Sequence, residues 1–142
     1  MKLQSKHLLP YLNHKLMCQV TDLGKTKVAE MHSVYFDDSC TFCDTIESEK
    51  GFSEIKPILR PLSKSEIMKL WDEKHSEDPD IRTFLNEQFI EDKGFENIDE
   101  MLDYNPEWWA TGTFNVLAKY HFDIFGLITK ELALNVNKVV FS

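Results

Sequence analysis

Two hydrophobic periods occupy different parts of this chain, and the change from one to the other limits what it can fold into. Leu16, Cys18 and Val20 alternate with other residues, the period of a half-buried strand. Thr21-Asp22-Leu23-Gly24-Lys25 carries turn chemistry, with Gly24 free to take positive φ. Residues 28–36 resume an extended pattern rich in Val, Tyr and Phe. The spacing predicts an antiparallel β-hairpin here, followed by a loop over 37–51. Residues 52–62 hold Pro57 and Pro61, and a missing ladder donor predicts an edge strand or extended connector.

From Ser63 onward the period becomes helical. Ser63 and Glu66 match a capping box, and Ile67, Leu70 and Trp71 follow at helical spacing. Asp80 is placed to cap a second helix carrying Ile81, Phe84, Leu85 and Phe89, with Gly94 as its stop. A short helical piece follows near Ile98 to Leu102. Pro106 suits the first turn of the longest helix, expected over 107–125, and Gly126 ends it. Residues 136–141 read as a last extended piece. The expected architecture is a single α+β domain spanning 1–142. An N-terminal antiparallel hairpin or small sheet packs on a mostly helical C-terminal two-thirds. Its core should gather Phe114, Leu117, Phe122 and Phe125 with Ile67, Leu70, Trp71, Phe84 and Leu85.

Charge is the second constraint. The formal net charge is −8 over 142 residues. It is concentrated in residues 72–107, where thirteen carboxylates face only Lys74, Arg82 and Lys93. Such a surface repels nucleic acid and attracts basic grooves. With two arginines, the chain is poorly equipped for bidentate phosphate recognition. There is no apolar run of the roughly 18 to 20 residues that cross a bilayer, and no apolar signal segment follows Met1. Three cysteines, an odd number, fit reduced thiols. A cytoplasmic chain that touches neither membrane nor nucleic acid is expected.

Three constellations invite a chemical reading. Cys40 and Cys43 form a C-x-x-C that supplies two corners of a zinc site, with Cys18 and His32 as the available companions. A pair of reduced thiols in a surface loop is the simpler account, because no second C-x-x-C exists. His121 and Asp123 suggest a catalytic pair, yet residues two apart on a helix project to different faces. Trp108 and Trp109 beside Tyr104 suggest base stacking, but Asp99, Glu100, Asp103 and Glu107 would repel phosphates. Core packing or a protein-binding hot spot suits them better. No catalytic residue and no cofactor are assigned.

Residues 120–128 (YHFDIFGLI) and 132–137 (LALNVN) resemble the ending of a family of small bacteriophage and prophage proteins. Residues 55–63 (IKPILRPLS) resemble its middle segment, and Leu9-Pro10-Tyr11-Leu12 its opening. The resemblance covers roughly a quarter of the chain, carries no assigned chemistry and leaves out both the acidic stretch and the cysteine loop. What it implies is a phage context, in which small acidic proteins often act by occupying a host protein. The expected function is therefore non-enzymatic: binding and inhibiting a host macromolecule, most specifically a nucleic-acid-guided defence nuclease, in the manner of an anti-CRISPR protein. Glu87, Glu91, Asp92, Glu96, Asp99, Glu100 and Asp103 would meet a basic partner surface, a CRISPR effector nuclease being the specific case, in the host bacterial cytosol. Trp108 or Trp109 would be the anchor. The alternatives are a phage accessory or structural protein without inhibitory role, or a small zinc-stabilised interaction module.

Overall fold

The computed structural model describes residues 2–43, 46, 48–83, 102, 105, 106 and 111–139. Strands β1 (Met17–Asp22) and β2 (Lys25–Tyr35) pair antiparallel, with Cys18 opposite Ala29 and Val20 opposite Lys27. Leu23 and Gly24 both take positive φ, 53° and 75°. Such a two-residue turn matches the right-handed twist of its strands. Alternation then sorts the faces: Leu16, Cys18 and Val20 are fully buried, and Ala29 and Met31 join them from β2.

The sheet continues well beyond the hairpin. β3 (Ser39–Phe42) and β4 (Lys50–Gly51) extend one side, and β5 (Ile55–Leu59) and β6 (Leu134–Asn135) extend the other. The six-stranded order is β4-β3-β2-β1-β5-β6, mixed because β5 and β6 run parallel. This overturns the expected small N-terminal sheet under a mostly helical C-terminal two-thirds. The predicted loop over 37–51 contains two strands, and Cys40 and Phe42 are core residues on the first of them. A register shift between Met31 and Ser33 leaves His32 as the bulged residue, exposed beside the ladder.

The two-proline segment is not an edge either. β5 lies between β1 and β6, and Ile55, Pro57, Ile58 and Leu59 are all buried. The ladders on its two sides are staggered. β1 pairs with residues 55–57, and β6 with Ile58 and Leu59. Pro57, which has no N–H to give, sits where the first ladder ends and before the second begins.

The described helices are short. α1 (Ser5–Leu8) runs into a 3-10 turn at Leu9–Tyr11. α2 (Lys64–Lys74) starts at Ser63, whose hydroxyl accepts from the Glu66 N–H. α3 (Pro79–Ile81) is capped by Asp78, which accepts from the Asp80 N–H at 3.0 Å, so the expected cap at Asp80 is off by two residues. α4 (Thr111–Lys119) ends six residues before the predicted Phe125. His121 takes φ 65° there. The Phe122 N–H returns to Leu117 O and the His121 N–H to Ala118 O, both at 3.0 Å. That is the Schellman closure, built on histidine where glycine is usual. The expected final strand over 136–141 begins instead with a 3-10 turn at Val136–Lys138.

One hydrophobic cluster joins sheet and helices. Ile67 and Leu70 of α2, Ile81 of α3, and Val116 and Leu117 of α4 meet Leu8, Tyr11, Leu16 and Leu59. Of the expected core, Leu117, Phe122, Ile67 and Leu70 are buried, while Phe114, Phe125 and Trp71 pack at its margin. Phe84 and Leu85 lie outside the described residues. Burying each large side chain contributes about 1.5–3 kcal/mol.

Tyr11 closes this core across the length of the chain. Its ring is fully buried. Its hydroxyl donates to Phe122 O and accepts from the Ile124 N–H at 3.2 Å. Tyr11→Phe would remove both bonds and leave the Ile124 N–H and Phe122 O, 2.9 Å apart, with only each other. It should lower the unfolding free energy by about 1 kcal/mol, measured by urea denaturation with an unchanged slope on denaturant.

Candidate functional site

Two regions compete for a functional role: the acid-rich segment and a cleft behind β5. Of the acidic segment, the described part shows a division of labour. Asp72, Glu73, Glu77 and Asp80 are exposed. Asp78 is not: it caps α3 and also accepts from Lys119 Nζ at 2.8 Å and from the Tyr120 hydroxyl. Burial works against its charge, but the hydrogen bonds from Lys119, Tyr120 and the Asp80 N–H prevail and hold its carboxyl below the ordinary aspartate range. Burial and the neighbouring Asp78 carboxylate push the Tyr120 phenol well up. Glu87, Glu91, Asp92, Glu96, Asp99, Glu100, Asp103, Trp108 and Trp109 lie outside the described residues.

The thiols divide between core and surface. Cys18 and Cys40 are fully buried on the core face of β1 and β3, and Cys43 is partly covered past the end of β3. Burial pushes the Cys40 thiol up to about 12, and the nearby Glu49 adds to it; Cys18 is pushed up further, by burial and then by Cys40. Neutral thiols packed in apolar surroundings are poor nucleophiles and poor metal ligands. His32 is exposed at the bulge, whereas Cys18 and Cys40 point into the core. Among the described residues no group of three or more His, Cys, Asp or Glu side chains is placed to hold a metal ion. The surface-loop account of the C-x-x-C is corrected too, since Cys40 belongs to a strand.

Behind β5 a cleft of about 370 Å³ is bounded by Ile58, Arg60, Glu66, Lys69, His121 and Asn137 among others. Its floor is an ion pair. Arg60 Nε donates to Glu66 Oε2 at 2.8 Å, with both side chains largely buried. A second Arg60 nitrogen donates to the Glu66 backbone oxygen at 3.0 Å. The guanidinium carbon stands 4.9 Å from the centre of the Phe122 ring. Asn137 donates to the other Glu66 oxygen at 3.1 Å, and Lys69 approaches it at 3.5 Å. Burial alone would raise the Glu66 pKa. The hydrogen bonds from Arg60 and Asn137 and the charges of Arg60 and Lys69 reverse this and hold it below the ordinary glutamate value. The Glu66 carboxylate is thus spoken for, and the capping box of the sequence forms only its Ser63 half.

His121 and Asp123 are no catalytic pair, and the reason differs from the one expected. His121 lies past the end of α4, and its Nε2 meets the His14 carbonyl. Asp123 is buried and caps the next turn, accepting from the N–H groups of Leu127 at 2.7 Å and Ile128 at 2.9 Å. Burial raises its pKa against the pull of those two donors. Its own N–H binds Arg60 O at 2.8 Å, while the Arg60 N–H binds His121 O at 2.7 Å. Residues 9–12, 55–63, 120–128 and 132–137 therefore meet at one knot. Tyr11, Arg60, Phe122 and Asn137 each come from a different one. Nothing in the sequence pattern paired Arg60 with Glu66, although an arginine just before a helix cap and a glutamate in the first turn was the available signal.

Comparison with protein-family models, with curated proteins and with solved structures returned no match. No helix among the described residues is long and apolar enough to cross a membrane.

Chemically, the Arg60 and Glu66 charges of the cleft are already paired with each other. The pair fastens β5, α2, the 120–128 segment and the 3-10 turn after β6 together. Arg60→Met would strand the Glu66 carboxylate and should remove about 3 kcal/mol of stability. The pH dependence has a definite sign. A depressed folded pKa means that stability is present above the unfolded glutamate value and is lost as pH falls through the lower folded one. Asp78 slopes the same way, and Asp123, whose pKa is raised, slopes oppositely. Glu66→Gln should therefore flatten the acid limb of a stability-against-pH profile without erasing it, as read by thermal melts between about pH 3 and 7, a window that spans the carboxylate range.

Proposed function

We propose that this chain works without bond-breaking chemistry, as a phage-derived acidic protein that occupies and inhibits a host macromolecule. The specific target class is a nucleic-acid-guided defence nuclease. The observation that carries this is the way the carboxylates divide. Among the described residues the buried acids are all committed within the fold: Asp22 to Lys50 and Lys27, Glu66 to Arg60, Asp78 to Lys119, and Asp123 to backbone donors. The described acids that open the acidic segment, Asp72, Glu73, Glu77 and Asp80, face solvent instead. Among the described residues only Glu77 of these four has a cation beside it, Lys74 at 3.4 Å. A surface with excess carboxylates competes with nucleic acid for a positively charged channel, and such binding is fast and salt-sensitive.

The partner surface is supplied in this reading by Glu87, Glu91, Asp92, Glu96, Asp99, Glu100 and Asp103, with Trp108 or Trp109 as anchor. Binding would require no cofactor. The alternatives of a phage accessory protein or a zinc-stabilised module draw no support from a specific contact, and the burial of Cys18 and Cys40 weighs against the second.

The test uses purified RNA-guided nuclease from a bacterial host and measures DNA cleavage with increasing amounts of the chain. Stoichiometric inhibition that fades with added salt is expected. Reversing Glu91, Asp92, Glu96 and Asp99 to lysine should weaken inhibition at least about tenfold, a loss of roughly 1.4 kcal/mol. Equal inhibition by the reversed variant would refute the acidic-surface mechanism.

A further inference from the structure

The turn between β2 and β3 holds Phe36 with 94% of its surface exposed, and Tyr35 beside it at 44%. Covering a phenyl ring is worth about 1.5–3 kcal/mol, so this side chain is an anchor without a socket in its own chain. The turn that carries it is firmly held. The Ser5 hydroxyl reaches Tyr35 O at 2.9 Å and Asp38 Oδ1 at 3.3 Å. The Phe52 N–H binds Asp38 O at 3.0 Å, and Asp38 takes φ 59°. An anchor fixed in place beforehand loses little freedom on binding.

Directly beside the turn lies an apolar cavity of about 480 Å³. Leu3, Phe52, Ile55 and Leu132 line its walls, with Lys2 and Lys56 at the margin. Asp38, two residues from Phe36, is part of the same lining. Knob and socket therefore share one patch. A closed two-fold interface demands this arrangement, because each copy must give and receive at the same surface. Placed on opposite sides of the molecule, the two features would build an open chain instead. The rim of the socket carries both signs, exposed Lys2 and Lys56 with exposed Glu131 and Asp38, so the exposed Asp37 beside the knob has a lysine to meet on the other copy.

We infer that this patch is a homodimer interface. Phe36 of each copy fills the cavity bounded by Phe52, Ile55 and Leu132 of the other, with Asp37 against the lysine margin. The acidic segment is not part of it, so the dimer and the partner-binding function stand or fall separately.

Sedimentation equilibrium of the full chain tests it. Self-association with a dissociation constant on the order of 100 μM or tighter is expected, about −5.5 kcal/mol. Phe36→Ala removes the knob, and Ser53→Phe fills the socket from an exposed position on its lining. Each should weaken the dimer at least about tenfold, as expected for loss of a central anchor, with unchanged melting. In the wild-type chain, the ring resonances of Phe36 and Phe52 should shift together with concentration, which reads the same contact without substitution. A chain that stays monomeric to about 1 mM, or a dimer that either variant leaves at wild-type strength, overturns the inference. A monomeric Phe36→Ala variant that still inhibits the nuclease would support the interface and separate the two ideas.

Discussion

The Arg60 guanidinium holds together elements that no local propensity would bring into register. It leaves the end of β5, an interior strand, and pairs with Glu66 in the first turn of α2 while lying over the Phe122 ring. Its backbone N–H and C=O bracket residues 121–123 as a short parallel bridge. Glu66 in turn receives Asn137, which follows β6. A partly buried ion pair is weak evidence for stability by itself, since desolvation consumes most of the attraction. Its consequence here is geometric. With Glu66 also receiving Asn137 and Arg60 packed on an aromatic face, this arrangement of the four segments leaves neither charge stranded.

That constraint explains which parts of the fold were legible. The hairpin was, because strand period and a turn glycine are both local signals, and Leu16, Cys18 and Val20 do face inward. The start of α2 was legible for the same reason. The extent of the sheet was not. Cys40-Thr41-Phe42 alternates as a strand should, but β3 is only four residues long and gains its meaning only against β2. β6 is two residues that pair with a strand more than seventy positions earlier, a contact no window of sequence contains. Proline misled the reading of β5, since the rule that confines proline to edges assumes a continuous ladder, and here the ladders on either side are staggered around Pro57.

Helix ends show a related failure. Glycine is the usual left-handed residue after a helix, so Gly126 drew the boundary to itself. His121 took the position instead, at φ 65°, and Glu131 repeats the device at φ 60° with the Leu132 N–H returning to Leu127 O. A non-glycine residue in that region is strained by roughly 1 kcal/mol. At His121 the ring reaches the His14 carbonyl, and the carbonyl accepts from Arg60, so neighbouring contacts offset the strain. The candidate site was less legible than the fold. Composition located the acid excess, and it also predicted exposure for the residues that open the segment. It gave no hint that Asp78 would be withdrawn into a cap and an ion pair, because that depends on Lys119 and Tyr120 some forty residues away.

The distribution of charge then acquires a physical meaning. Among the described residues, the carboxylates inside the fold are each matched by a cation or by backbone donors, so they set geometry. Of their described neighbours outside, Glu77 meets Lys74 at 3.4 Å, while Asp72, Glu73 and Asp80 face solvent, where like charges repel at an electrostatic cost. A sequence under no demand beyond folding would relieve that repulsion with lysines, and this one places only three basic residues in the whole acidic stretch. Meanwhile the knot around Arg60 consumes the residues best suited to chemistry: an arginine, a glutamate, a tyrosine and a buried aspartate.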